Sequence, residues 1–363
     1  MDRAATGPRV QTYAYPAPGC ELAVVTQAFV EDSPRGRASD HVNYRYGTLP
    51  GMTAERQLRP RQLELLKAAA ELWDQDEPEG LNYLARLWCQ TSLPYRDPGN
   101  VPAWGRRNGD LSLMVQPGVG MTADGQPHSI GFPYGTVPRL LLTWLSTEAV
   151  RTQEPTLLLG ESLSAFMRNL GMTPSGGKNG TITRLKKQME RLFLATLTVR
   201  WEGDQHRQAG GRLNVASSYD LWWLDKDPDE LALMPSVVKL SREFYDEVTQ
   251  HPVPLDIAVL GALRGSALRL DIYAFLCHRL SYLRRPTTIP WEALRGQFGS
   301  TLGKDKAGRA RFKQEFERNL REVLLLYRYA DVESTRGGLV LKPSRTSVPM
   351  RRLRSLPSCD TGS

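Results

Sequence analysis

The chain has 363 residues, 40% of them hydrophobic and 24% charged, and its 47 Lys and Arg outnumber its 39 Asp and Glu. That is ample apolar material for packed cores in two or more domains, so a wholly disordered chain is excluded. No run approaches the roughly 18–20 apolar residues of a membrane span and the first ten residues hold no signal-like stretch, so a cytoplasmic protein without a membrane partner is expected.

Residues 1–55 mix Pro, Gly and polar residues without sustained periodicity and read as a flexible arm. Residues 56–130 read as a helical preface and a loop-rich segment. Leu63, Leu66, Ala70 and Trp73 recur at helical spacing, Leu81, Leu84, Leu87 and Trp88 predict a second short helix, and Leu111–Val115 predicts a strand. From Pro138 a helix carries Leu141, Leu145 and Ala149. A short strand at Leu157–Leu159 follows, then a helix with Leu163, Phe166 and Met167, closed by Gly171. A further helix starts at Thr181, with Leu185, Met189, Leu192 and Phe193 on its core face. Leu197, Val199 and Trp201, then Leu213 and Val215, alternate as the two strands of a hairpin.

Helix, short strand, helix, helix, hairpin is the order of a winged helix, and it occurs twice. In the second copy Leu270, Ile272 and Phe275 mark the first helix, Pro286–Ile289 the strand, and Trp291, Leu294 and Phe298 the next helix. Phe312, Phe316 and Leu320 mark the third helix, and residues around Gly337-Gly338 the hairpin. Arg139 overlays Arg269, Leu163 overlays Leu294, and Leu185, Lys186, Met189 and Phe193 overlay Phe312, Lys313, Phe316 and Leu320, as in a duplicated domain. The expected fold is therefore α+β and mostly helical, with winged helices at 131–250 and 251–345 and a basic disordered tail at 346–363.

Charge gathers on both third helices. Lys178, Arg184, Lys186, Lys187 and Arg191 face Glu190 alone, while Lys304, Lys306, Arg309, Arg311, Lys313 and Arg318 outnumber Asp305, Glu315 and Glu317. In a winged helix the third helix is the usual reader of the DNA major groove. The starting residues Lys178, Asn179, Thr181 and Thr183 would then approach base edges, and Arg184, Lys187 and Arg191 the flanks. Gly176, Gly177 and Gly180 would let backbone N–H groups near a phosphate. Arg207 and Arg336, on the two hairpin loops, suit backbone contact.

Enzyme readings fail on spacing. Gly171–Lys178 lacks the Walker pattern, since Met172 stands six before Lys178 and Asn179 follows it. A nicking enzyme needs a His-x-His metal site near a tyrosine, and His41, His128, His206, His251 and His278 are never two apart. Cys20, Cys89, Cys277 and Cys359 form no Cys-x-x-Cys pair, and Cys277 with His278 reads as core and surface neighbours rather than a dyad. No catalytic residue, metal or cofactor is expected.

The stretch Gly131-Phe132-Pro133-Tyr134-Gly135-Thr136-Val137-Pro138-Arg139-Leu140-Leu141-Leu142, continuing through Trp144 to Thr152, resembles plasmid-encoded RepA-type replication initiators. Leu159-Gly160-Glu161-Ser162-Leu163, Phe166-Met167-Arg168 and Gly176–Leu185 are similar to the same family, over about Leu81 to Tyr245. The resemblance implies binding to repeated origin sites (iterons), origin opening, and recruitment of a host initiator and replicative helicase. It also implies a homodimer that represses its own gene and so sets plasmid copy number. The alternatives are a winged-helix repressor and, in another class, an origin-nicking rolling-circle nuclease.

Overall fold

The computed structural model describes residues 10–17, 20–28, 60–75, 78–202, 208–223, 234–299 and 305–349. It divides into two compact units, Met1–Asp76 and Glu77–Ser363. The first contains β1 (Val10–Ala17) and β2 (Cys20–Ala28), an antiparallel pair inside the expected arm, and α1 (Pro60–Asp74). The rest of that arm lies outside the described residues. In α1 the inner face is Leu65, Leu66 and Ala69, and Leu63 points out.

The second unit opens with β3 (Leu81–Ala85) and α2 (Arg86–Gln90). Then come β4 (Trp104–Asn108), β5 (Leu111–Gln116), β6 (Gly118–Met121) and β7 (Pro127–Gly131). Next are α3 (Val137–Thr152), β8 (Thr156–Leu158), α4 (Leu163–Asn169), α5 (Thr181–Leu194), β9 (Thr196–Glu202) and β10 (Gln208–Leu213). They are followed by β11 (Ala216–Asp220), β12 (Val237–Leu240), α6 (Arg242–Gln250), β13 (Pro252–Asp256) and α7 (Ile257–Leu263). The last elements are α8 (Ala267–Ser281), β14 (Thr287–Pro290), α9 (Trp291–Phe298), α10 (Lys306–Leu326), β15 (Val332–Ser334) and β16 (Gly338–Leu341).

Helix starts follow local chemistry. Ser162, Ser241 and Asp305 each accept a hydrogen bond from the backbone N–H three residues on, at 3.2, 3.1 and 3.0 Å, capping α4, α6 and α10. Among the described residues no helix is long and apolar enough to cross a membrane.

Two strand assignments correct the sequence expectation. Leu81–Ala85 is a strand, not a helix: β3 pairs antiparallel with β13, from Leu81 opposite Asp256 to Ala85 opposite Pro252. Its partner lies some 170 residues away, so local spacing mimicked a helix. The second correction concerns the first hairpin. β9 and β10 do pair, but they belong to a four-stranded sheet of order β10-β9-β5-β4, whereas β8 pairs with β12 in the sheet β11-β12-β8. In the second half the short strand does join its hairpin, in the order β14-β16-β15. The start of the expected tail packs against α8, with Val348 buried and Ser347 Oγ 2.8 Å from the Tyr273 hydroxyl; residues 350–363 lie outside the described residues.

The sequence overlay matches buried with buried. Leu163 and Leu294 are both interior, as are Leu185, Met189 and Phe193 against Phe312, Phe316 and Leu320, and Lys186 and Lys313 are both half-exposed. The two halves share one interior. Arg139 of α3 donates from Nε and Nη2 to the two carboxylate oxygens of Asp271 in α8, each at 2.7 Å. Its other donors reach Gly135 O at 2.6 Å, Leu93 O at 2.8 Å and Pro94 O at 3.4 Å, and the Tyr95 ring lies 4.9 Å away. Every N–H of this buried guanidinium therefore has an acceptor, which is the condition for burying a charge. Arg269, its counterpart in the overlay, is spent within its own half on Glu322 of α10.

Candidate nucleic-acid interface

α5 separates its faces cleanly. Leu185, Gln188, Met189 and Leu192 point inward, while Arg184 and Lys187 are exposed, following the 100° step of a helix. Lys178 and Asn179 are exposed in the preceding turn. That turn is tightly tied: Ser175 N–H donates to Thr181 Oγ1 at 2.8 Å and Thr181 N–H to Ser175 Oγ at 3.0 Å. Thr183 Oγ1 in turn donates to Gly177 O at 2.9 Å. Gly177 has φ +90°, a conformation that suits glycine. Gly180 N–H and Ile182 N–H are also spent, on Gly177 O and Ser175 O. Of the glycines expected to present N–H groups to a phosphate, Gly180 spends its N–H within the turn, and the exposed side chains of Lys178, Arg184 and Lys187 stand beside it.

Arg191 also departs from expectation. It is buried, donating from Nε to Ile130 O at 3.0 Å and from Nη1 to Asp97 at 3.0 Å and Phe132 O at 3.2 Å, with Tyr134 against its guanidinium. Gly131, with φ +91°, gives it room: a Cβ there would lie 2.7 Å from Nη2. Gln188 adds a second tie, its Oε1 accepting from Tyr134 N–H at 2.8 Å. These two residues fasten α5 to β7 and the segment after it. Arg184, seven residues earlier on nearly the same face, is exposed, so it is the packing of Ile130–Tyr134 and Asp97 beside the second half of the helix that buries Arg191.

On α10, Lys306, Arg309 and Arg311 are exposed near its start, and Arg336 is exposed in the β15–β16 turn. The turn is pinned to the helix layer. Thr335 O accepts from Trp291 Nε1 at 3.0 Å and from Lys313 Nζ at 3.2 Å, and Lys313 lies 5.0 Å from the Trp291 ring. Lys313 is therefore engaged in positioning, while the exposed cations around it point to solvent. Arg207 and Lys304 lie outside the described residues.

The structure leaves the expected residues exposed on two segments. Lys178, Arg184 and Lys187, with the amide of Asn179, stand at and just before the first half of α5. Lys306, Arg309 and Arg311 stand in the first two turns of α10, with Arg311 some 200° round the helix from Arg309, and Arg336 stands in the hairpin turn. Such arrays neutralise phosphates and, at helix starts, reach base edges. The residues that sequence reasoning missed are those holding the arrays in place: Asp97, Gln188, Trp291 and Thr335. The Cys277–His278 pair is not an activated couple. Burial pushes the Cys277 thiol up to about 12, and burial with Arg86 and Arg279 lowers His278 to about 4.

Residues 132–293 match the family model RepA_C, described as plasmid encoded RepA protein. The likeness visible in the sequence from Gly131 is thereby borne out, and it runs further towards the C-terminus than the sequence motifs did. No curated protein matches the chain. Among solved structures, one described as domains 2 and 3 of RctB, as selenomethionine derivatives, is similar with a TM-score of 0.42 and 12% identity. The alignment covers 69% of this chain and 95% of that one.

Proposed function

We propose that the chain is a plasmid replication initiator that binds repeated sites at a double-stranded origin through two tandem winged helices. The observation that carries this reading is the recurrence, in one chain, of helix, strand, helix, helix and hairpin with exposed cations at the start of each third helix. The family match over residues 132–293 supports the initiation role. In the second half the wing is β15–β16. In the first half the wing of this reading is β11–β12 rather than β9–β10, supported by the pairing of β8 with β12.

In this reading α5 and α10 enter major grooves about one helical turn, roughly 34–36 Å, apart on one face of the duplex. Arg184, Lys187, Arg309 and Arg311 neutralise phosphates or meet base edges, so affinity falls with salt at a log–log slope near −0.9 per phosphate. Origin opening, recruitment of a host initiator and replicative helicase, and a homodimer acting on its own gene complete the proposal. The chain acts by binding, with no catalytic residue of its own.

The test is retardation of labelled origin fragments of the encoding replicon against promoter fragments and random duplex. Stepwise, selective retardation on a repeated origin element is the expected result. Binding confined to the promoter would make the chain a repressor, and no preference over random duplex would overturn the assignment. Relaxation of supercoiled plasmid in the presence of a divalent metal would make it a nicking enzyme.

A further inference from the structure

The sheet β10-β9-β5-β4 joins the two halves of the chain. β9 follows α5 after the single residue Ala195, and β4 at the far edge lies against α9, where a Cβ on Gly296 would come within 2.7 Å of Arg107 O. Arg106 Nη1 also donates to Gly299 O. Alternation sorts the sheet's side chains onto two faces. Leu113, Val115 and Leu197 are buried on one. The opposite face carries Arg107, Arg200 and Arg212, all exposed.

The ladder fixes how these arginines are spaced. Arg200 is paired with Ser112, and Ser112 with Arg107, so their Cα atoms are two strand spacings, about 10 Å, apart. Arg212 sits opposite Thr198, two residues along from Arg200 on the neighbouring strand, about 8 Å away. Their neighbours on this face include the small residues Gly105, Ser112, Thr198 and Gly210 and the exposed, unbranched Met114, so the guanidinium groups stand open to solvent. Among the described strand residues the single acid on this face is Glu202, 3.3 Å from Arg107 and 3.8 Å from Arg200. Exposed pairs of this kind contribute little and exchange readily for another anion.

We infer that this arginine face is a third DNA contact, holding the sugar–phosphate backbone of the duplex between the sites read by α5 and α10. The inference rests on the DNA-binding reading above. Arginine forks match phosphate oxygens, and a contact of this type fixes the protein's position on the duplex without reading sequence.

The experiment compares the full chain with the triple variants R107A/R200A/R212A and R107K/R200K/R212K. Each is first checked for an unchanged circular-dichroism spectrum and urea midpoint, then titrated with salt on origin fragments and on random duplex. The alanine variant is expected to lose two to three units of log–log slope, about 0.9 per phosphate. Its affinity for both DNAs should fall together, leaving the origin preference intact, and the lysine variant should keep most of the slope. An unchanged slope in the alanine variant, a lysine variant that behaves like it, or a loss confined to origin DNA would each overturn the inference. Failure of the DNA-binding reading is a separate result: the unmodified chain would then show no origin preference.

Discussion

Replacing Asp271 by Ala removes one side of the charged joint between the two halves. The carboxylate accepts from Nε and Nη2 of Arg139 at 2.7 Å each, and the two side chains are 9% and 7% exposed. Without it, two buried donors lose their acceptors and the guanidinium loses its counter-charge, while its bonds to Leu93 O, Pro94 O and Gly135 O remain. Breaking a buried pair from one side costs about 3–5 kcal/mol. The Tyr95 ring at 4.9 Å retains part of the stabilisation of the cation, worth about 1–2 kcal/mol, so the lower end, about 3 kcal/mol, is expected. That is a large share of the roughly 5–15 kcal/mol that holds a typical domain folded. Urea unfolding of Asp271→Ala should show the loss as a lower midpoint. Glu148→Gln, which breaks the exposed pair with Arg151, should cost less than about 1 kcal/mol. The double change Arg139→Met with Asp271→Leu removes the stranded charge but takes the donor from Leu93 O and Gly135 O, so it should recover only part of the loss. A cost below about 1 kcal/mol for Asp271→Ala would refute the reasoning.

Arg184→Ala with Lys187→Ala should weaken origin binding by about 1–3 kcal/mol for each base edge no longer read, with the urea midpoint unchanged; unaltered retardation would remove α5 from the reading surface. Arg191→Ala should instead lower stability by roughly 2–4 kcal/mol, since Asp97 and the carbonyls of Ile130 and Phe132 lose their donor, and Gly131→Ala should act in the same direction through φ +91° and the crowded Nη2. His278, lowered to about 4 in the folded chain by burial and then by Arg86 and Arg279, is protonated first in the unfolded chain. Its contribution to stability is therefore complete above about pH 6.5 and declines as pH falls towards 4, by on the order of 2–3 kcal/mol in the limit. His278→Gln should flatten that part of the pH–stability curve, and an identical curve would show that the histidine titrates normally.

What could be read from the sequence was whatever repeats along one element. The apolar stripes of α3, α5 and α10 stand where spacing put them, as does the order of the second half, because helix periodicity is local. The strand at Leu111–Val115 was visible by alternation, but its neighbours β4, β6 and β7, rich in Gly and polar residues, were not. Pairings between distant segments left no local trace. β3 finds β13, and β9 finds β5 rather than β8, through contacts that only the folded chain supplies. The same holds within the candidate site. Arg184 and Arg191 are equivalent cations in the sequence, yet one faces solvent and the other is held by Asp97 and two carbonyls. Seven residues apart, the two lie on nearly the same face of α5, so no angular signal separates them; the difference is that Ile130, Phe132 and Asp97, brought from other segments, lie beside the last turn and not the first.

The Arg139 joint bears on how such a chain can be rearranged. Its parts come from three separate stretches: Leu93 to Tyr95 before the first half, Arg139 within it and Asp271 in the second. A hybrid assembled by exchanging one half with a relative would bring together an arginine and an acceptor set that had not been selected as partners, stranding a charge in the interior. Despite their common pattern, the halves are therefore not interchangeable cassettes. Changes to exposed residues of α5 or α10 leave this joint intact, and an exchange of segments keeps it only where its breakpoints hold all three stretches together.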